Sequence, residues 1–141
     1  MKSQPFFEDV EVGIEIPILV KKPTTLQLVM WAGASGDYNP IHYDKDFALS
    51  RGLPGVVVHG QLSTAFLCQM LSDWYGKKGN LKKLNVSYKG LNFPKDTLTC
   101  RGVVKEKLAG DNLVTLDVWV ENQRSDKTVV GTAVVGLPGA D

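Results

Sequence analysis

Cysteine and histidine are both scarce in this chain of 141 residues, with two of each. Cys68 and Cys100 are too few and too far apart in sequence for a disulfide scaffold or a zinc site. An excess of one charge is missing as well, since 16 basic residues stand against 15 acidic ones. No whole-chain field therefore calls for nucleic acid or for a membrane surface. No apolar run approaches the ~18–20 residues of a membrane span. The opening residues, Met1 to Asp9, lack the apolar stretch of a signal peptide. Internal repeats and low-complexity linkers are absent. With 43% hydrophobic residues, the composition fits one domain over residues 1–141 with a single core. A soluble, reducing, cytoplasmic setting is the expectation.

Hydrophobic periodicity divides the chain into elements. Residues 1–12 read as an irregular arm with Phe6 and Phe7 as anchors. Ile14, Ile16, Ile18 and Val20 alternate as in a strand, with Pro17 marking an edge position or a bulge. Thr24 is placed to cap a short helix carrying Leu26, Val29, Met30 and Gly33 and ending near Ala34. Residues 46–50 suggest another helical turn, stopped by Gly52 and Pro54. The strongest helix spans residues 60–75. Leu62, Ala65, Phe66, Met70 and Trp74 form its stripe, and Leu67 and Leu71 widen it until the helix must be buried on most sides. Gly76 is its stop. Four alternating runs follow, built on Leu84–Tyr88, Leu98–Val104, Val114–Val120 and Val129–Val135, with turn residues between them. Successive strands joined by short turns are expected to pair antiparallel. The fold class is α+β: a curved antiparallel sheet wrapped around one long helix, joined by the early strand.

Two segments carry chemistry. In Ser35-Gly36-Asp37-Tyr38-Asn39-Pro40-Ile41-His42, Pro40 and Gly36 rule out continuous helix. Asn39 is expected to bond backbone within the loop, so that Asn39 and Pro40 shape a bend aiming Asp37 and His42 at one point. An imidazole titrates near neutrality, and a carboxylate can orient the water that the imidazole binds. Spacing alone fits equally an aspartate that caps a turn and a satisfied buried histidine. The second segment is Val56-Val57-Val58-His59-Gly60, leading into the long helix. The first N–H groups of a helix lack intrahelical partners and sit at its positive end. Gly60 leaves its N–H open to a carbonyl oxygen, as an oxyanion hole requires, although a glycine also suits simple close packing. His59 reads as a polar residue bonded to backbone. Cys68 and the tryptophans Trp31, Trp74 and Trp119 read as core or interface. Lys77, Lys78, Lys82, Lys83 and Lys89 read as a solvated face, or as an attraction for the phosphates of an acyl carrier.

The run Gly36-Asp37-Tyr38-Asn39-Pro40-Ile41-His42, with Ala48 following, resembles the signature of the MaoC-like, (R)-specific enoyl-thioester hydratases and dehydratases, also called hydratase 2. Val58-His59-Gly60 at the head of an apolar helix resembles the second segment of that family, and the order of elements agrees. The resemblance implies a hotdog fold, usually dimeric, with acyl tunnels near the dimer interface. It implies reversible hydration of a trans-2-enoyl thioester, of CoA or acyl carrier protein, to a (3R)-hydroxyacyl thioester. Asp37 and His42 fall on the catalytic pair and Gly60 on the carbonyl-binding amide. No metal and no redox cofactor is implied. Trp31 departs from the usual Tyr or Phe at the start of the signature, and Cys68 from a serine found in some members. The partner is a second hotdog chain, identical in a homodimer or different in a heterodimer. A hotdog acyl thioesterase and a non-catalytic acyl-binding subunit are the competing expectations.

Overall fold

The computed structural model describes residues 3–140. The alternating runs of the second half form strands because every second side chain can be buried. In β3 (Leu98–Leu108), Leu98, Cys100, Gly102 and Val104 face inward, and in β4 (Leu113–Glu121), Val114, Leu116, Val118 and Val120 do. The turn between them closes with Asn112 in the left-handed region, φ 53°, a conformation that asparagine tolerates. β5 (Lys127–Gly136) pairs antiparallel with β4. The long helix, α3 (Gly60–Tyr75), crosses this sheet and packs against all five of its strands. Leu62, Phe66, Leu67, Met70, Leu71 and Trp74 are buried in the shared core. Each large side chain so covered contributes roughly 1.5–3 kcal/mol before entropy is subtracted.

The strand order is β1-β3-β4-β5-β2. One expectation fails here. β2 (Asn80–Tyr88) does not pair with its successor β3 but crosses to the far edge and pairs with β5. The connection between β2 and β3 is a loop rather than a tight turn, so nothing local holds those strands together. The early strand also differs from its pattern. Only β1 (Leu19–Lys21) is a regular strand, paired with β3, while Glu15 makes a single bridge to Val103. The break falls at Pro17, which has no N–H to give a ladder. The side-chain phase changes across it: Ile16 is buried and Leu19 packs on the core, while Ile14, Ile18 and Val20 are exposed.

Two shorter helices precede α3 in the chain, one on each side of the Pro40–His42 turn. The helix α1 (Thr25–Ser35) is capped by the Thr24 hydroxyl, which accepts from the Gln27 N–H, and ends at Gly36. It buries Leu28 and Ala32, leaving Leu26, Val29 and Met30 exposed. The short α2 (Lys45–Ser50) is capped by Asp44. Residues 1 and 2 of the irregular arm lie outside the described residues. Beyond them, Phe7 is buried and its N–H donates to the Pro138 carbonyl. No helix among the described residues is long and apolar enough to cross a membrane.

Gly131 of β5 lies against the Asn85 and Val86 backbone of β2. A Cβ added there would collide with the Asn85 carbonyl oxygen. Gly131→Ala is therefore expected to cost about 1–3 kcal/mol in denaturant unfolding, as overpacking does. A variant as stable as the parent would contradict the pairing of Val86 with Gly131.

Candidate active site

The loop after α1 is held by its own short side chains. Gly36 takes φ 78°, which ends the helix and turns the chain, and few residues other than glycine adopt that angle readily. The Asp37 N–H donates to the Ser35 hydroxyl at 3.1 Å, and the Asn39 N–H donates to Asp37 Oδ1 at 3.2 Å. The Asn39 side-chain oxygen accepts from the Ile41 N–H at 3.3 Å. Pro40 opens a 3-10 turn, Pro40–His42, at the first position, where its missing N–H costs no hydrogen bond. These bonds swing His42 back beneath Asp37. Asp37 Oδ2 and His42 Nε2 end 3.7 Å apart, beyond direct hydrogen bonding but within the span that one shared water can bridge.

The second segment locks the histidine ring. The Val57 N–H donates to the Ile41 carbonyl at 3.0 Å, and the Val58 N–H to the Asn92 carbonyl at 2.8 Å. The Val57 carbonyl is thereby aimed at the His42 ring and lies 2.7 Å from Nδ1. A carbonyl only accepts, so Nδ1 carries the hydrogen. In the neutral ring Nε2 is then a bare lone pair facing Asp37. His42 is 7% exposed, whereas the Asp37 side chain is 41% exposed, so the pair joins buried protein to solvent.

Both groups line a cavity of about 350 Å³, whose walls also include Ile41, Val57, Gly60 and Tyr88. Gly60 is the first residue of α3, so its N–H belongs to the free first turn. A Cβ at Gly60 would stand 2.9 Å from Tyr88 Cε1. The Tyr88 ring is held in turn by a 2.8 Å hydrogen bond between its hydroxyl and that of Thr64. Larger clefts of about 630 Å³ beside Val29, Tyr43 and Phe93, and about 530 Å³ beside Trp119, contain neither member of the pair.

Three residues of this region were not singled out as site residues by sequence reasoning. His59 is buried and stacks on His42, with ring centroids 3.7 Å apart and planes at 19°. Its Nε2 lies 3.3 Å from the Asp37 carbonyl, so the expected bond to backbone exists while the stacking was unforeseen. Burial, followed by the neighbouring His42 charge, pushes its pKa below 6.5. Asn92 and Ser63 are both buried on the cavity wall and share a 3.2 Å hydrogen bond. The doublet His59-Gly60 at a helix start was the available signal for the first. Nothing local marks Asn92 or Ser63.

Asp37, His42 and His59 offer ligand atoms within 4.8 Å of one another. Near-parallel stacked rings direct their in-plane lone pairs side by side rather than onto a common tetrahedral point, and His42 Nδ1 is already engaged. The set therefore suits proton handling better than metal binding. Cys68 is half-buried on α3, and burial raises its thiol pKa. Trp74 lies in the core, Trp31 packs against it, and Trp119 faces outward under the Lys127 ammonium. Of the five lysines only Lys89 stands beside the cavity, between its lining residues Tyr88 and Gly90. Lys77 and Lys78 follow the far end of α3, roughly 24 Å from its start, and Lys82 and Lys83 lie early in β2.

The same fold occurs in known proteins. The (R)-specific enoyl-CoA hydratase of Aeromonas caviae is 28% identical over 132 residues, spanning 93% of this chain and 98% of that protein. The solved structure of the (R)-hydratase from A. caviae involved in PHA biosynthesis has the same fold, with a TM-score of 0.88 at 28% identity, covering 93% of this chain and 99% of the other. The 3-oxo-4,17-pregnadiene-20-carboxyl-CoA hydratase beta subunit of Mycobacterium tuberculosis is 27% identical over 130 residues, 92% of this chain and 97% of that one. Fungal fatty acid synthase beta subunits match as well, but the chain spans only 5% of the length of the Aspergillus oryzae protein, at 29% identity over 108 residues. Residues 8–134 match the MaoC-like domain. That range holds the loop, the start of α3 and nearly all of the sheet, and the chain accordingly belongs to the MaoC-like domain family, in its hotdog fold.

Proposed function

We propose that this chain acts as a hydro-lyase, adding water reversibly to a trans-2-enoyl thioester to give a (3R)-hydroxyacyl thioester. The observation that carries the proposal is the 3.7 Å gap between Asp37 Oδ2 and His42 Nε2 at the wall of a cavity that Gly60 also lines. The (R) outcome is supported by the likeness to an (R)-specific enoyl-CoA hydratase. One water sits in the gap, donating one hydrogen to each group. His42 Nε2 takes a proton as the water oxygen bonds to C3. The C2=C3 electron pair moves toward C1, and the carbonyl oxygen gains charge at the Gly60 N–H. The enolate then takes the proton from His42 Nε2–H at C2, which returns the ring to its starting state. Both added groups, the C2 hydrogen and the C3 hydroxyl, come from one water, and Asp37 orients it throughout. An oxyanion donor of this kind is worth about 10²–10³ in rate.

The acyl carrier is CoA or acyl carrier protein. The working unit includes a second hotdog chain, identical or different. Support for a partner comes from the likeness to a chain that is by name a hydratase beta subunit. The unit we assign to this activity is the single domain over residues 1–141.

Asp37→Asn and His42→Ala are each expected to lower kcat for a short trans-2-enoyl-CoA by about 10²–10⁴ with unchanged circular dichroism. Loss of the enoyl thioester absorbance and free-thiol release are measured side by side. Near-parental rates in both variants, or thiol release as the main reaction, would remove the proposal. Gly60→Ala drives a methyl group against Tyr88. It is expected to lower kcat/KM about tenfold through misplacement, and Tyr88→Ser in the same chain should recover part of the loss.

A further inference from the structure

Behind the cavity wall stands one ring that the hydration chemistry does not use. His59 is 1% exposed, and the residues lining the cavity do not include it. It precedes Gly60 at the start of α3 but makes no side-chain capping bond to that helix. A role in contacting substrate or in capping is therefore not what keeps an imidazole here.

We propose that His59 is a positioning residue for the pair, fixing the His42 ring by stacking and holding the Asp37 backbone through Nε2–H. The proposal rests on the reading of Asp37 and His42 as the reacting groups. Two contacts carry it. The rings of His42 and His59 stack at 3.7 Å and 19°, so His42 cannot tilt away from Val57 on that side. His59 Nε2 lies 3.3 Å from the Asp37 carbonyl, and since a carbonyl only accepts, Nε2 carries the hydrogen. One side chain thus touches both members of the pair, each from the side away from the cavity.

The other nitrogen sharpens the argument. With the hydrogen on Nε2, His59 Nδ1 is a bare lone pair, and it is buried with no hydrogen-bond partner. A buried nitrogen left unpaired is destabilising, so a carbon ring of similar size would pack here at less cost. What justifies the imidazole is the bond Nε2 makes. Protonating His59 would place an unpaired cation in the interior, against a ring that must itself gain a proton. Two like charges at stacking distance oppose one another. His59 stays neutral, and His42 is the imidazole of the pair that takes and returns the proton. The titratable groups on the cavity wall are Asp37, His42 and Tyr88.

The test uses His59→Phe, which keeps the stacking surface and loses the donor, and His59→Gln, which keeps a donor and loses the ring. In both, kcat for trans-2-enoyl-CoA hydration should fall about tenfold to a hundredfold, the scale of an ångström-size misplacement, while KM stays within about threefold. Imidazole nitrogen NMR gives a readout independent of turnover. In the parent chain, His42 should show the Nδ1–H tautomer and His59 the Nε2–H tautomer. In the variants, His42 should lose its single tautomer. Unchanged kcat and unchanged His42 spectra in both variants would overturn the proposal. So would an Nδ1–H tautomer for His59 in the parent, a result that needs no variant to fold. If the parent hydrates no enoyl thioester but shows the coupled ring spectra, the hydratase reading fails and the positioning of the pair stands.

Discussion

The structure depends on covering α3. Leu62, Phe66, Leu67, Met70, Leu71 and Trp74 make one broad face of that helix, too wide for a flat layer to cover, while Gln61, Gln69, Ser72 and Asp73 on the opposite side meet water. The sheet therefore curls, and its inward positions on β3 and β4 are filled almost without exception by Val, Leu and Cys. The two ends of the helix escape that wrapping. One end stops at Gly76 beside the lysines. The other begins inside the protein, with unpaired N–H groups that need something to meet. The cavity is where those groups are left free, so the demand for burial and the presence of a site have the same origin.

Backbone, more than side chains, then sets the chemistry at that end. Three segments distant in sequence are fastened by the bonds from Val57 to Ile41 and from Val58 to Asn92. Once they are fastened, the Val57 carbonyl has one direction available, and it meets His42 Nδ1 at 2.7 Å. The tautomer follows from a hydrogen bond to a backbone carbonyl whose direction the fastened segments set. Isolated valines in sequence give no hint of this, because what matters is the direction of the carbonyl between them.

How far the sequence could be read follows the range of each interaction. The loop was legible because Gly36, Asn39 and Pro40 act on their own neighbours, through a positive φ, a side-chain bond two residues on and a fixed ring. Thr24, Gly60 and Gly76 marked helix ends for the same reason. β3 and β4 were legible because a tight turn joins them and their alternation is clean. Legibility failed where the deciding partner lay far along the chain. β2 carries a strand pattern but no mark that names β5 rather than β3 as its neighbour. The stripe of Leu26, Val29 and Met30 has helical spacing, yet α1 buries Leu28 and Ala32 instead, since periodicity identifies a helix without saying which face the core will take. The stacking of His59 on His42 belongs to this class too, because it exists only after the loop and the helix start have met.

A reversible addition places a further demand on such a site: every group must return to its starting condition without moving. The geometry around His42 meets it. Nδ1 keeps its hydrogen and its carbonyl partner whether the ring is neutral or protonated, so gaining a proton at Nε2 breaks no existing bond. Asp37 is held by the Asn39 N–H on one oxygen, which leaves the other facing Nε2. The proposed oxyanion donor, the Gly60 N–H, starts a helix that packs against all five strands. Each component is thus fixed by contacts that are the same before and after the proton moves, and in the proposed reaction only the water, the proton and the substrate electrons change place. Rigidity of this kind comes from the same burial of α3 that shaped the sheet, which ties the turnover chemistry back to the packing of the core.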